Sequence, residues 1–371
     1  MSFIALIIKN LVRQRIRTGL TVLGISIGIT TVVALGVVTH SFKQSAGEII
    51  SLGGADFMVA QEGTADFTFS IVPEEDVATL ADEPGVGHAE GVLFHLGRVG
   101  SNPFFFLMGR TAEALTTAPP PLVDGGILTP GVGDEVMLGK RASDDLNSHV
   151  GDTVTIEDRA FKVVGIYQTG NLMEDGGAYA PLPIVQEIAA KPAVVTAVFI
   201  TLAAGANQAE LANRIENDYP NLVTISDVDE YGKVDQGIEF LDAANLAISV
   251  LAVGIGAIGV MNTMVMSVLE RTREIGILRA VGWSGRRILR MIIGESLLLC
   301  LVAAGVGAGL GVLATRAILL IDTVRTLLEP QYTLDIFIRG LVVAVGVALL
   351  GALYPALRAV RLTPMEALRY E

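Results

Sequence analysis

Cysteine is almost missing: Cys300 is the single one among 371 residues. One cysteine excludes an intrachain disulfide framework and a multi-cysteine metal site within one chain. Histidine is nearly as sparse. His40, His88, His95 and His149 are scattered, and none stands in the His-Glu-x-x-His spacing that holds zinc on one helix face. There is no Gly-x-x-x-x-Gly-Lys-Ser/Thr run, which removes the usual phosphate cradle for ATP hydrolysis, and no Gly-x-Ser-x-Gly nucleophile elbow. The acidic groups Glu74-Glu75-Asp76 and Asp144-Asp145 read as a solvated helix start and a turn rather than cation sites. A membrane enzyme is therefore the least supported class, and no metal or cofactor is expected in this chain.

Basic residues are scarce in the middle of the chain. Residues 43–239 hold 30 Asp and Glu against 10 Lys and Arg, a net −20, while the rest carries 9 acids and 16 bases, a net +7. So acidic a segment argues against nucleic acid as a partner. What the chain has in quantity is apolar length. Hydrophobic residues make up 51% and the mean hydropathy is +0.56, too apolar for an ordinary soluble protein, while 18% charged residues are too many for a chain lying wholly in lipid.

The pattern predicts an α-helical membrane protein with four transmembrane helices and a mixed α/β extracytoplasmic domain inserted between helices 1 and 2. An amphipathic helix covers 1–18, with Lys9, Arg13, Arg15 and Arg17 among apolar residues, and suits a membrane interface. Spans follow at 19–42, 240–268, 286–320 and 337–357, each near or above the ~20 residues a bilayer requires. The first run is longer than a signal-peptide core and no small-x-small cleavage site follows it, so an uncleaved anchor is expected. The inserted domain occupies 43–239, the loop between spans two and three 269–285, a short outer loop 321–336, and a tail 358–371. Bases cluster at the start, in the second loop (Arg271, Arg273, Arg279, Arg286, Arg287, Arg290) and in the tail (Arg358, Arg361, Arg369). The bias of Lys and Arg toward the cytoplasm puts all three inside, which gives a multi-pass protein of the cell membrane with both termini cytoplasmic.

Within 43–239, strands are expected at 56–60, 104–108, 153–156, 161–167 and 194–202, and helices at 73–81, 183–190 and 207–218. Glu157-Asp158 reads as the turn of a meander, and Pro119-Pro120-Pro121 with the glycines of 125–133 as a loop between subdomains. In the spans, Gly24 and Gly28 give a small-xxx-small spacing that permits close helix packing. Gly305, Gly307, Gly309 and Gly311 read as a flexible middle of span three. Glu295 and Arg316 are intramembrane charges, by default functional candidates, placed near enough to the span ends to snorkel; Asp242 is similar.

The stretch 265–283 is charged, amphipathic and set between two spans. Ile275, Ile277, Leu278 and Val281 are expected on one face, with an Arg271–Glu274 pair at i,i+3. Residue pattern alone leaves two readings open: a solvated loop helix, or a coupling helix that docks into a cytosolic motor.

Three stretches resemble the MacB/FtsX/LolC-type permease family of ATP-driven transporters. They are 270–282 (Glu-Arg-Thr-Arg-Glu-Ile-Gly-Ile-Leu-Arg-Ala-Val-Gly), the opening 10–28, and the ending 354–371 with its Pro-Met-Glu-Ala-Leu-Arg. Val150-Gly-Asp-Thr-Val, Phe161-Lys-Val-Val-Gly-Ile and Ala180-Pro-Leu are similar to the family's extracytoplasmic core. The resemblance implies a permease subunit without a fused ATPase, working as a homo- or heterodimer with a separate cytosolic ABC ATPase that binds the ATP. It assigns Glu270, Arg271, Arg273, Glu274, Ile275, Gly276 and Arg279 to ATPase coupling. It further implies contact with membrane lipid and leaves open an extracytoplasmic adaptor. Two functions fit: extrusion of an amphiphile, peptide, antibiotic or lipoprotein, or mechanotransmission that controls an extracytoplasmic enzyme or sensor.

Overall fold

The computed structural model describes residues 15–65, 67–100, 102–321 and 329–361. Most of the amphipathic start and the ending from 362 onward, with its Pro-x-Glu-Ala-Leu-Arg motif, lie outside the described residues. The chain divides into two compact units. One comprises Met1–Val38, Asp242–Ile318 and Pro330–Glu371; the other comprises Thr39–Leu241 and Leu319–Glu329.

Helix α1 (Arg15–Ile49) contributes to both units. The inserted unit continues with β1 (Phe57–Gln61), β2 (Val72–Pro73), α2 (Glu74–Ala81), β3 (Val86–Val99), β4 (Asn102–Arg110) and α3 (Ala112–Thr117). Then come β5 (Leu122–Gly125), β6 (Glu135–Gly139), α4 (Lys140–Leu146), β7 (Thr153–Ile156), β8 (Arg159–Tyr167), α5 (Leu172–Asp175) and β9 (Ala178–Pro181). It closes with α6 (Leu182–Ile188), β10 (Val194–Val195), β11 (Ala197–Leu202), α7 (Gln208–Asp218) and β12 (Leu222–Ile225). The membrane-type unit holds α8 (Gln236–Glu270), α9 (Thr272–Ala280), α10 (Gly285–Ile318) and α11 (Leu334–Arg361).

Ten of the strands form one mixed sheet in the order β12-β1-β11-β3-β4-β9-β6-β8-β5, with β7 also on β8, and β10 and β2 form a separate two-stranded sheet. Within the large sheet, β4–β9 and β6–β8 run parallel. β3 is shared unevenly: its residues from Val86 to Val92 pair with β11, and those from Leu93 to Val99 pair with β4. One face carries Phe57, Leu93, Leu107, Phe161 and Val198, covered by Leu80 of α2, Val185 of α6 and Ile215 of α7. The other carries Met58, Phe94, Met108, Tyr167 and Phe199, with Ala46 and Ile49 of α1. Alternation along β1 and β4 sends successive side chains to opposite faces, so both faces are apolar because both are covered.

The local reasons are legible. Ile156 pairs with Arg159 across a two-residue turn, and Glu157 and Asp158 both have positive φ, 49° and 63°, as a type I′ hairpin needs. Asn207 caps α7 by accepting from Ala209 N at 3.0 Å. The stretch 194–202 is not one strand. It breaks at Thr196, because β10 pairs with β2 while β11 pairs with β1 and β3. The loop expected around 125–133 begins as strand: β5 lies antiparallel to β8.

Four helices among the described residues are long and apolar enough to cross a membrane: Ile16–Gly54, Glu239–Glu270, Gly285–Ile318 and Leu334–Arg361. Their shared core includes Ile29, Val33, Val260, Cys300, Ala344 and Val347. Small residues set how closely they approach. A Cβ on Gly307 would lie 2.8 Å from Ile29 Cβ and from Ser26 O, one on Gly311 2.8 Å from Val33, and one on Gly351 2.6 Å from Val260. Gly307 and Gly311 are therefore a packing stripe, one turn apart, rather than a flexible middle; Gly305 and Gly309 face open space. Gly28 approaches Ala252 (3.3 Å to its Cβ), whereas nothing lies within 4 Å of a Cβ on Gly24. The Gly-Ile-Ser-Ile-Gly run at 24–28 is helical, and Ser26 is buried, donating to Ala303 O at 3.0 Å.

Gly307→Val is expected to push α10 away from α1 and lower the melting temperature of the detergent-purified protein. Gly309→Ala, two residues away on the open side, should be neutral or raise stability by about 0.5–1 kcal/mol through helix propensity. Equal effects in a thermal melt would contradict the packing stripe.

Candidate coupling site

The amphipathic segment forms α9, a nine-residue helix held at both ends. Upstream, α8 stops at Glu270, and Arg271 breaks the helix at φ −111°, ψ 14°. Downstream, Gly282 has φ +100°; its N–H donates to Arg279 O at 3.1 Å and the N–H of Trp283 to Leu278 O at 3.0 Å. That is a Schellman stop, and the left-handed residue in it favours glycine. The Arg287 guanidinium lies 5.2 Å over the Trp283 ring.

The inward face of α9 is fixed by packing and by charge. Ile275 is 2% exposed and packs with Val268, Ile288, Ile292, Ala356 and Ala359 from the flanking helices. Gly276 and Thr272 are buried too, and the Thr272 hydroxyl donates to Leu269 O at 2.9 Å. Arg271 Nη1 donates to both oxygens of Glu295 on α10, at 2.9 and 3.2 Å, while its Nε reaches Glu274 at 3.2 Å. Glu295 is 4% exposed. Expected near enough to the span end to snorkel or hydrate, it is covered by protein and ion-paired with Arg271. Arg316 ends α10 and is exposed. Glu270 accepts from Arg17 Nη2 of α1 at 2.9 Å, with both side chains more than a third exposed, a pair that contributes little by itself.

The outward face is different. Arg273 and Glu274 are exposed, and so are two apolar residues, Ile277 at 49% and Val281 at 77%. At about 100° per residue, Ile275 and Ile277 point to opposite sides, so the four apolar residues expected on one face divide between two. Ile277 and Val281, four apart, form the outer pair. Arg279 is half-buried, with its Nη1 beside Gly285. Of the seven positions assigned to coupling, Arg273 and Glu274 thus face outward. Glu270 and Arg271 are engaged within the chain, and Ile275 and Gly276 are covered. Ile277 and Val281 were available to a strict 3.6-residue count of the same stretch.

Four long apolar helices around a mixed α/β insertion, with a short rigid amphipathic helix between the second and third, define a multi-pass membrane protein of the transporter-permease class. Residues 18–218 match the MacB-like periplasmic core domain, and residues 246–364 match the FtsX-like permease C-terminal model. The chain belongs to the MacB/FtsX-type family of ABC transporter permeases. It is 24% identical to the macrolide export ATP-binding/permease protein MacB of Syntrophobacter fumaroxidans, over 98% of this chain and 63% of that protein. It is 28% identical to the pyoverdine export ATP-binding/permease protein PvdT of Pseudomonas syringae pv. tomato, over 96% of this chain and 58% of that protein. The chain therefore spans less than two thirds of these relatives. Among solved structures it is similar to the periplasmic region of MacB from Actinobacillus actinomycetemcomitans, at 16% identity and TM-score 0.38, covering 53% of this chain and 98% of that one.

Removing the Glu295 carboxylate leaves Arg271 buried beside one partner fewer. Glu295→Ala should cost about 3 kcal/mol, whereas Arg271→Met with Glu295→Leu should recover most of it, because an apolar pair of similar volume replaces a buried ion pair at little cost. Thermal melts of the two variants in detergent check this; a Glu295→Ala protein as stable as the parent would contradict the buried pair.

Proposed function

We propose that this chain is the permease subunit of an ATP-driven exporter. The 371 residues contain no phosphate-binding loop, so the ATPase is supplied from outside them. The observation that carries the reading is the two-sided construction of α9. Its inner face is tied to α10 by Arg271–Glu295 and to a packed apolar cluster, so a push on the outer face is not absorbed by melting. Its outer face offers Ile277 and Val281 flanked by Arg273 and Glu274, an apolar spot with fixed charges that fits a cleft in a cytosolic ABC ATPase. In this reading both termini and α9 are cytoplasmic and the inserted domain lies on the other side. The exposed apolar flanks of α1 (Leu20, Leu23, Ile27) and α8 (Val250, Ile255, Ile258) meet lipid or a second permease copy. The relatives named for macrolide and pyoverdine export support extrusion of an amphiphilic substrate.

The test is affinity purification of the intact protein in mild detergent, followed by ATPase assay of what accompanies it. Ile277→Glu is expected to reduce the accompanying ATPase by about 10-fold or more, as a charge placed in an apolar contact costs more than about 1.4 kcal/mol. Its own melting temperature should not change. Undiminished ATPase in this variant would sink the docking assignment. Stimulation by added amphiphiles supports export, and stimulation only by an extracytoplasmic protein supports mechanotransmission instead.

A further inference from the structure

The inserted unit contains a cavity of about 620 Å³ beside β4, β9 and α5, a size that holds a drug-sized ligand. Pro119, Pro120 and Pro121 line one side and Glu48 and Ser51 contribute to another. Its floor is polar although deeply buried. Arg110, 1% exposed, donates from Nε and Nη2 to the two oxygens of Glu90 at 2.6 and 2.7 Å. Burial works against the guanidinium charge, but the Glu90 fork more than offsets it and holds the arginine above its ordinary pKa. This pair is neutral as a unit. The guanidinium lies 4.9 Å over the Tyr179 ring, Tyr167 stacks on that ring at 4.3 Å, and the Tyr179 hydroxyl donates to Glu174 Oε2.

Three positions in this arrangement are left incomplete. Asn171 is 6% exposed, and its Oδ1 accepts from Met173 N at 2.8 Å and Glu174 N at 3.1 Å. That fixes the amide orientation and leaves Nδ2 buried without an acceptor. An orphan donor of this kind is destabilising, so a protein stabilised only for its own sake gains nothing from it. Glu174, 5% exposed, has one oxygen on Tyr179 and no donor to the other among the described residues. Its carboxyl is pushed up chiefly by burial, with Asp175 and Glu48 adding repulsion against the pull of Tyr179 and Arg110. The Glu48 carboxylate, among the described residues, accepts from Gln44 Nε2 at 3.3 Å. Because Glu90 already matches Arg110, the two remaining carboxyl groups have no ion-pair partner among the described residues.

We propose that this cavity binds an organic ammonium whose N–H groups donate to Glu174 and Glu48, whose neighbouring oxygen accepts from Asn171 Nδ2, and whose apolar part lies on Pro119–Pro121. The Arg110–Glu90 pair holds the floor rigid and contributes no net charge. The ligand supplies what the site lacks: a positive charge, and one acceptor. This goes beyond the coupling reading and does not need it, since binding is measured with no ATPase present.

The probe is 2-phenoxyethylamine, compared with 2-phenoxyethanol and phenoxyacetate, which keep the ring and the ether oxygen and replace the ammonium by a neutral hydroxyl or an anionic carboxylate. Each is titrated calorimetrically into the full chain in detergent, against an empty-micelle blank. The amine is expected to bind saturably, one per chain, about 10-fold or more tighter than the alcohol, and the acetate to show no binding. Glu174→Gln should weaken the amine about 10-fold. Asn171→Ser, which keeps a capping oxygen but takes away the Nδ2 amide that reaches the ligand oxygen, should weaken it about 3-fold. If Glu174→Gln does not fold, Glu48→Gln, at a half-buried position on α1, takes its place and should weaken the amine at least about 3-fold. Equal binding of amine and alcohol, no saturable binding, or unchanged affinity in the carboxylate variants would each overturn the proposal.

Discussion

A carboxylate buried in an apolar helix must be neutralised where it stands, and in this protein Arg271 brings it a matching charge. Glu295 on α10 receives two hydrogen bonds from Arg271, the residue at which α8 gives way to α9. Satisfying it therefore fixes the bend between the second and third long helices and the direction of α9. Ile275 and Gly276 are then carried inward and Ile277 and Val281 outward. Buried ion pairs are weak evidence of stability, because desolvation consumes most of the attraction, but they are strict about geometry. The pair makes the segment between the helices a part of the helical unit rather than a linker.

The membrane architecture was open to inspection because it rests on lengths and counts: four apolar runs, basic loops, one acidic insertion. Regular alternation and end signals exposed several elements of the insertion as well, among them β7, the Glu157-Asp158 hairpin and the helix expected at 207–218. β3 was not found. Its fourteen residues include Gly87, Gly91 and Gly97 with His88, Glu90 and His95, which hide the alternation. Its strand character comes from two different neighbours, which no local window contains. The break at Thr196 has the same cause, since partner choice is a tertiary fact. On α9 the residue types were legible and the faces were misassigned, because four apolar residues at 275, 277, 278 and 281 do not share a 3.6-residue face. The Arg271–Glu295 pair spans 24 positions, and spacing in sequence gives no sign of it.

The polar floor of the inserted domain shows the same limit. The pattern Asn171-Leu-Met-Glu174 is that of a capping box, and the Asn171 half is realised. The Glu174 side chain turns instead to Tyr179, on the next strand. A local motif is diverted to a tertiary use, and the diversion leaves the Asn171 amide with a donor to spare. Arg110, at the end of β4, and Glu90, in the part of β3 that pairs with β11, are twenty residues apart, and each alone would pass for an ordinary surface charge.

The arrangement of β3 has a mechanical meaning. Each half of that strand has a single neighbour, so β12, β1 and β11 hang on one side and β4, β9, β6, β8 and β5 on the other, with no ladder running past the changeover at Val92 and Leu93. Thr196 bridges the gap, its hydroxyl accepting from Phe94 N and donating to Val92 O. The chain passes between the two half-sheets twice, at Val92–Leu93 and again from β9 through α6 to β11. Where no ladder spans the changeover, the angle between the halves is set by side chains, through the apolar residues of both faces and the Glu90–Arg110 pair that reaches from one half to the other.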